Sequence, residues 1–182
     1  MARKYVAFDI ESATGWPDGG DWKPHRPLGI SCAATLSADD DAPRLWHGED
    51  ADGRPAGRMN REEAAELAAY LVSMAERGYS ILTWNGLSFD FDVLAEESGM
   101  LQECRALALG HVDMMFHVFC RLGHFVGLEA AARGVGLAGK PKGIRGVMAP
   151  GMWAAGKHQE ILDYAAQDSR TTLELATRCE QE

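Results

Sequence analysis

Asp9 and Glu11 lie two residues apart near the end of an apolar run, YVAFDIES (residues 5–12). Strand residues two apart point the same way, so both carboxylates converge on one point. Burying either charge unpaired is costly, so the pattern calls for a positive counterpart. A third acid, Asp90, closes WNGLSFD (84–90), where a short apolar strand passes through a glycine-containing turn into a helix. α/β sheets place their sites at this carboxyl edge, although Asp90 could also serve only the positive first turn of its own helix. On the last helix, Ile161, Ala165, Asp168, Thr172 and Leu175 trace the inward stripe, with Tyr164 four residues before Asp168 on the same face. The plain alternative is a core-edge tyrosine beside a surface acid. Four carboxylates at one sheet edge require cations or bound protons. All-oxygen ligation selects hard divalent ions, Mg²⁺ or Mn²⁺, over zinc.

The elements that must position these groups can be read along the chain. Residues 3–10 predict a first strand, followed by a Gly/Pro/Trp-rich loop over 14–27 that would form a rim to the site. Leu28 to Leu36 and Arg44 to His47 predict two further strands, joined by an acidic turn over 38–43 and forming a meander with the first. Asn60 with Glu63 resembles a capping box, and Ala64, Leu67, Leu71 and Met74 recur at helical spacing before Gly78. Tyr79 to Trp84 then predicts a strand parallel to an earlier one, and Ser88 is the expected cap of a helix ending before Gly99. Helices are expected over about 101–109, after Asp113, over 128–134 and over about 157–179. Asp113 reads as a helix cap and not as a fifth ligand, and Asp92 has no motif support. The order implies an α/β layer architecture.

At 182 residues and 46% hydrophobic, the chain can bury one sizeable core, so residues 1–182 are read as a single domain. A net charge of −9 argues against a uniformly basic coat for nucleic acid, but not against a carboxylate site that meets phosphates through metal ions. The four cysteines have no zinc-finger spacing and are expected as reduced, structural thiols. No apolar run approaches the ~20 residues that span a bilayer, and the N-terminus lacks a signal-peptide core, so a cytoplasmic location with no membrane partner is expected.

Taken in order, DIE (9–11), NGLSFD (85–90) and YAAQD (164–168) resemble the three motifs of the DEDD superfamily of ribonuclease H-like 3′→5′ exonucleases. Tyr164, four before Asp168, is similar to the tyrosine-type branch; the histidine-type branch carries histidine five before, where this chain has Asp163. The resemblance implies a ribonuclease H-like fold, a mixed central sheet flanked by helices. It further implies that Asp9, Glu11, Asp90 and Asp168 hold two Mg²⁺ or Mn²⁺ ions, with Tyr164 orienting the attacking water. Two metals about 4 Å apart clamp the attacking and leaving oxygens at phosphorus. The substrate implied is a DNA or RNA strand with a free 3′ end, and the products are nucleoside 5′-monophosphates. Glu11 would also meet the terminal 3′-hydroxyl, while Asn85 and Phe89 would shape the turn and pack beside the terminal nucleotide. The continuation SATGW (12–16) departs from the family's threonine-rich pattern, which bears on contacts to that nucleotide.

Residues 130–159 contain no acid but hold Arg133, Lys140, Lys142, Arg145 and Lys157. The Gly/Pro-rich loop GKPKGIRG (139–146) precedes the helix bearing Tyr164, so Lys140, Lys142 and Arg145 are candidate phosphate contacts, with a merely solvated loop as the equal alternative. Met148, Met152 and Trp153 are expected in the core rather than against bases. Without a polymerase or helicase segment the chain reads as a freestanding exonuclease or as a subunit borrowing specificity from a protein partner. A ribonuclease H-like endonuclease and a catalytically silent binding module are the alternatives.

Overall fold

A computed structural model describes residues 3–137 and 143–181. Its centre is β1 (Lys4–Ser12), paired antiparallel with β2 (Ile30–Ser37), which pairs antiparallel with β3 (Arg44–His47). On its other side β1 pairs parallel with β4 (Tyr79–Thr83), and β4 pairs parallel with β5 (Val112–Asp113). The order β3-β2-β1-β4-β5 makes a mixed sheet, with the expected meander on one side and the crossover strands on the other.

β1 is apolar on both faces because both faces are covered. Val6, Phe8 and Ile10 enter a core shared with α1 (Arg61–Glu76), α2 (Asp90–Ser98) and α3 (Leu101–Gly110). Tyr5 and Ala7 point the other way, into a core built with Met114 of α4 (Met114–Leu122), Leu128 of α5 (Leu128–Gly134) and Leu175 and Ala176 of α7 (His158–Gln181). Farther along that face, Cys32 and Ala34 pack with Ala149 and Trp153 of α6 (Ala149–Ala154) and Ile161, Leu162 and Ala165 of α7. No helix among the described residues is long and apolar enough to cross a membrane.

α1 starts where expected and for the expected reason. Asn60 Oδ1 accepts from the Glu63 amide at 3.0 Å and Glu63 Oε2 accepts from the Asn60 amide at 2.6 Å, so two of the orphan amides at the helix start are satisfied. Ala64, Leu67, Leu71 and Met74 form its buried stripe, and Gly78 takes the left-handed conformation, φ +87°, that turns the chain into β4.

Several sequence expectations are corrected. β2 begins at Ile30, not Leu28, because the Leu28 and Gly29 carbonyls accept from Thr14 and Ala13 where the chain enters the long loop. Ser88 does not cap α2: its amide bonds Asn85 O in the preceding turn, its side chain is exposed, and Phe89 holds the cap position without a side-chain bond. Helix α6 and the two-residue β5 were not anticipated. Pro150, which suits a first helical turn, marks α6. Trp153 is core, 2% exposed, its indole donating to Ala56 O at 2.8 Å, but Met148 is 40% exposed because it ends a 3₁₀ turn over Gly146–Met148 that holds no buried residue.

Replacing Asn60 by Ala should lower the unfolding free energy by about 1 kcal/mol. Urea melts should show a reduced midpoint with an unchanged slope.

Candidate functional site

The stripe of β1 that faces α7 runs Tyr5, Ala7, Asp9, Glu11: two core residues, then two acids. Their partners across the ladder on β2 are small, Ala34 beside Asp9 and Cys32 beside Glu11, which leaves room above the sheet for carboxylates and a helix. α7 is fixed to β2 at this level by Ser169, whose hydroxyl donates to Ala34 O at 3.1 Å. The preceding residue, Asp168, then meets the strand's acids. One oxygen each of Asp9, Glu11 and Asp168 lie within 4.8 Å of one another. Glu11 and Asp168 are 7% and 6% exposed, and Asp9 Oδ2 and Asp168 Oδ1 are sealed from solvent.

Three ionised carboxylates so close, in a region of low dielectric, repel strongly unless a cation or protons intervene. The donor set is all oxygen and anionic, which fits a hard divalent cation. Tyr164 is 5% exposed on the same helix face. Burial is the chief cause raising its phenol far above the ordinary range, followed by the charges of Asp168, Glu11 and Asp9 and a hydrogen bond to Asp168, so it stays a neutral hydroxyl. Burial, then the charges of Glu11 and Asp9, likewise keep the Cys32 thiol protonated and inert.

Asp90 stands beside this trio rather than inside it. It is 3% exposed, and its Oδ1 accepts from the Ile10 amide at 3.1 Å, on the residue between Asp9 and Glu11. β1 pairs with β4 only as far as Ala7 opposite Leu82, and the Asp90 carboxylate supplies an acceptor that β4 does not reach to give. Burial raises Asp90 to about 7, with the Asp113 charge adding to the rise and the Ile10 amide, its own amide and His111 opposing it.

The loop delivering Asp90 is held by a residue that sequence reasoning took only as a cap. Asp113 does cap α4, accepting from Met115 and Phe116, but the same carboxylate accepts from Asn85 at 3.1 Å and Leu87 at 3.2 Å. Burial works against its charge, yet His111 and these amides hold it below the usual carboxylate range. Asn85 adopts φ +73°, which asparagine tolerates. Gly86 packs on Thr83 so tightly that a Cβ would fall 2.4 Å from Thr83 Oγ1. The strand-end placement of GHVD (110–113) was the available signal for Asp113's second role.

Of the expected substrate contacts, Phe89 is packed between Trp16 and Trp22 of the long loop, with ring centroids 5.7 and 5.3 Å away. Arg145 donates to Asp18 at 2.8 Å, tying the segment after residue 143 to that loop. Next to Arg145, Gly146 lies over the Tyr164 hydroxyl, 4.0 Å from where its Cβ would be. Lys140 and Lys142 lie outside the described residues.

A model of the RNase_H superfamily matches residues 54–179, a range that includes Asp90, Tyr164 and Asp168 but not Asp9 or Glu11. Among solved structures, the family B DNA polymerase of the hyperthermophilic archaeon Pyrobaculum calidifontis is similar, with a TM-score of 0.70 and 20% identity over 98% of this chain; the chain spans 24% of that polymerase. A structure of Exonuclease I without ligand gives a TM-score of 0.47 and 15% identity over 97% of this chain and 41% of its own. No curated protein matches the sequence.

The Asp90 shift has a definite sign. Its folded pKa lies above the ordinary carboxylate value, so the folded state binds the extra proton. Without divalent cations, stability should therefore fall as pH rises from about 4 through about 7 and then level off. Thermal melts of wild type and Asp90→Asn should differ by this component, which the asparagine removes.

Proposed function

The chain belongs to the RNase_H superfamily, and from that premise we propose that it is a metal-dependent 3′→5′ exonuclease of the tyrosine-type DEDD group, acting on single-stranded DNA or RNA. The observation that carries the reading is the meeting of Asp9, Glu11 and Asp168 within 4.8 Å, with Tyr164 on the same helix face. Superfamily membership supports nuclease chemistry; the 3′ polarity rests on the motif order DIE, NGLSFD, YAAQD.

Asp9, Glu11 and Asp168 would hold two Mg²⁺ or Mn²⁺ ions, with Asp90 supplying a fourth carboxylate from its anchored position beside Ile10. Such ions supply Lewis acidity that activates a water and offsets charge on the phosphate oxygens. The remaining roles fall to the chain's own side chains. Tyr164, held neutral, keeps its proton and aligns the incoming water by hydrogen bonding rather than acting as its base. Glu11 faces the terminal 3′-hydroxyl. Phe89, buttressed by Trp16 and Trp22, forms an apolar wall for the terminal base. Attack of the water oxygen on phosphorus breaks the bond to the 3′ oxygen of the penultimate nucleotide and releases a nucleoside 5′-monophosphate. Residues 1–182 serve here as one domain, either alone or with a protein partner that adds specificity.

Purified protein with Mg²⁺ or Mn²⁺ should release 5′-mononucleotides stepwise from the 3′ end of a single strand and should stop on addition of EDTA. Cleavage of a circular strand would instead indicate an endonuclease, and no hydrolysis of any DNA or RNA strand would leave a binding module. Asp168→Asn should cost more than the roughly 100-fold typical of losing a hydrogen-bond partner behind a metal ligand. Tyr164→Phe should lower kcat by about 10²-fold with KM little changed.

A further inference from the structure

α4 is largely unburied: Met114 is its one buried residue. Phe116 and Phe125, in the turn that follows, are 53% and 61% exposed, and Phe119 lies between them. The three rings are nearly parallel, with Phe116 to Phe119 at 6.0 Å and 14° and Phe119 to Phe125 at 4.4 Å and 24°. A core would bury such rings; here the outer two of this short ladder are exposed and Phe119 between them is half-buried.

The ladder begins at the site. Asp113 accepts the amides of both Leu87 and Phe116, so one carboxylate ties the loop that delivers Asp90 to the first ring of the ladder. Leu87, on that loop, is itself 55% exposed. Charge points the same way. In a chain of net charge −9, residues 114–128, which carry the three rings, contain no acid and one arginine, Arg121. Arg121, on α4, is exposed.

We propose that Phe116, Phe119 and Phe125 form a stacking track for the unpaired bases of a single-stranded nucleic acid whose 3′ end lies at the carboxylate cluster. This rests on the exonuclease reading above. Exposed aromatic rings accept any base, because every base has a π face, and an acid-free segment carrying Arg121 tolerates the phosphates. A double helix, its bases already stacked on one another, cannot use the ladder. The track therefore makes the enzyme's substrate an unpaired strand of several nucleotides, and a dinucleotide reaches only the site itself.

The test uses the full chain and 5′-fluorescein-labelled oligothymidylate and oligouridylate of about 12 nucleotides, within the span of known single-strand sites. Binding is read by fluorescence anisotropy in the Asp168→Asn background, and hydrolysis in the active protein. Phe116→Ala and Phe125→Ala, both exposed and so tolerated by the fold, should each weaken long-strand binding and raise its KM roughly tenfold while leaving dinucleotide hydrolysis unchanged. Phe125→Leu should lose as much as the alanine; recovery with leucine would mean generic apolar contact and overturn the track. Unchanged long-strand affinity in both alanine variants also overturns it, as does light scattering that shows these substitutions dissolving a dimer while nucleic-acid binding persists. If strands bind with this pattern but nothing is hydrolysed, the track stands and the catalytic reading fails.

Discussion

The structure is organised around a crowding of carboxylates. Asp9, Glu11 and Asp168 bring carboxylate oxygens within 4.8 Å of one another in a place where water screens little. A flexible chain would relax by swinging them apart. Here the backbone prevents it: β1 is the central strand of five, and α7 is fixed to the neighbouring strand through Ser169 and packed along both apolar clusters of its face. The stability of the fold is what keeps the three carboxylates together, and their all-oxygen, anionic donor set is of the kind that suits a hard cation.

The supporting groups follow the same logic. Small residues on β2 stand opposite the acids, so no neighbouring side chain crowds the helix away from the strand. Asp90 and Asp113 act as backbone acceptors where the ladder is incomplete, since β4 ends before Ile10 and β5 is only two residues long. A carboxylate that replaces a missing strand holds its loop by directional bonds, which suits a position where the chain must turn sharply beside the site.

Much of this was legible in the sequence because it depends on local period. Alternation in β1 placed Asp9 and Glu11 on one face, and the 3.6-residue repeat of the last helix placed Tyr164 and Asp168 inward, as the structure has them. The capping box at Asn60 was equally local. What escaped depends on distance along the chain. The Asp90 bond to Ile10 spans 80 residues and the Arg145 pair with Asp18 spans 127, and neither leaves a periodic trace. Ser88 misled because the turn shape set by Asn85, not the residue's own propensity, decided where α2 begins.

α7 has a consequence beyond holding two of the site's side chains. Asp168 and Leu175 are seven residues apart, about 10 Å along the axis, and Leu175 is seated against Tyr5 and Ala7 at the other end of the same β1 face. The helix thus works as a lever whose two ends rest on one strand. Packing at the Leu175 end therefore helps fix the distance between Asp168 and the β1 acids. One helix in this way joins the carboxylate cluster to the apolar core at the far end of β1.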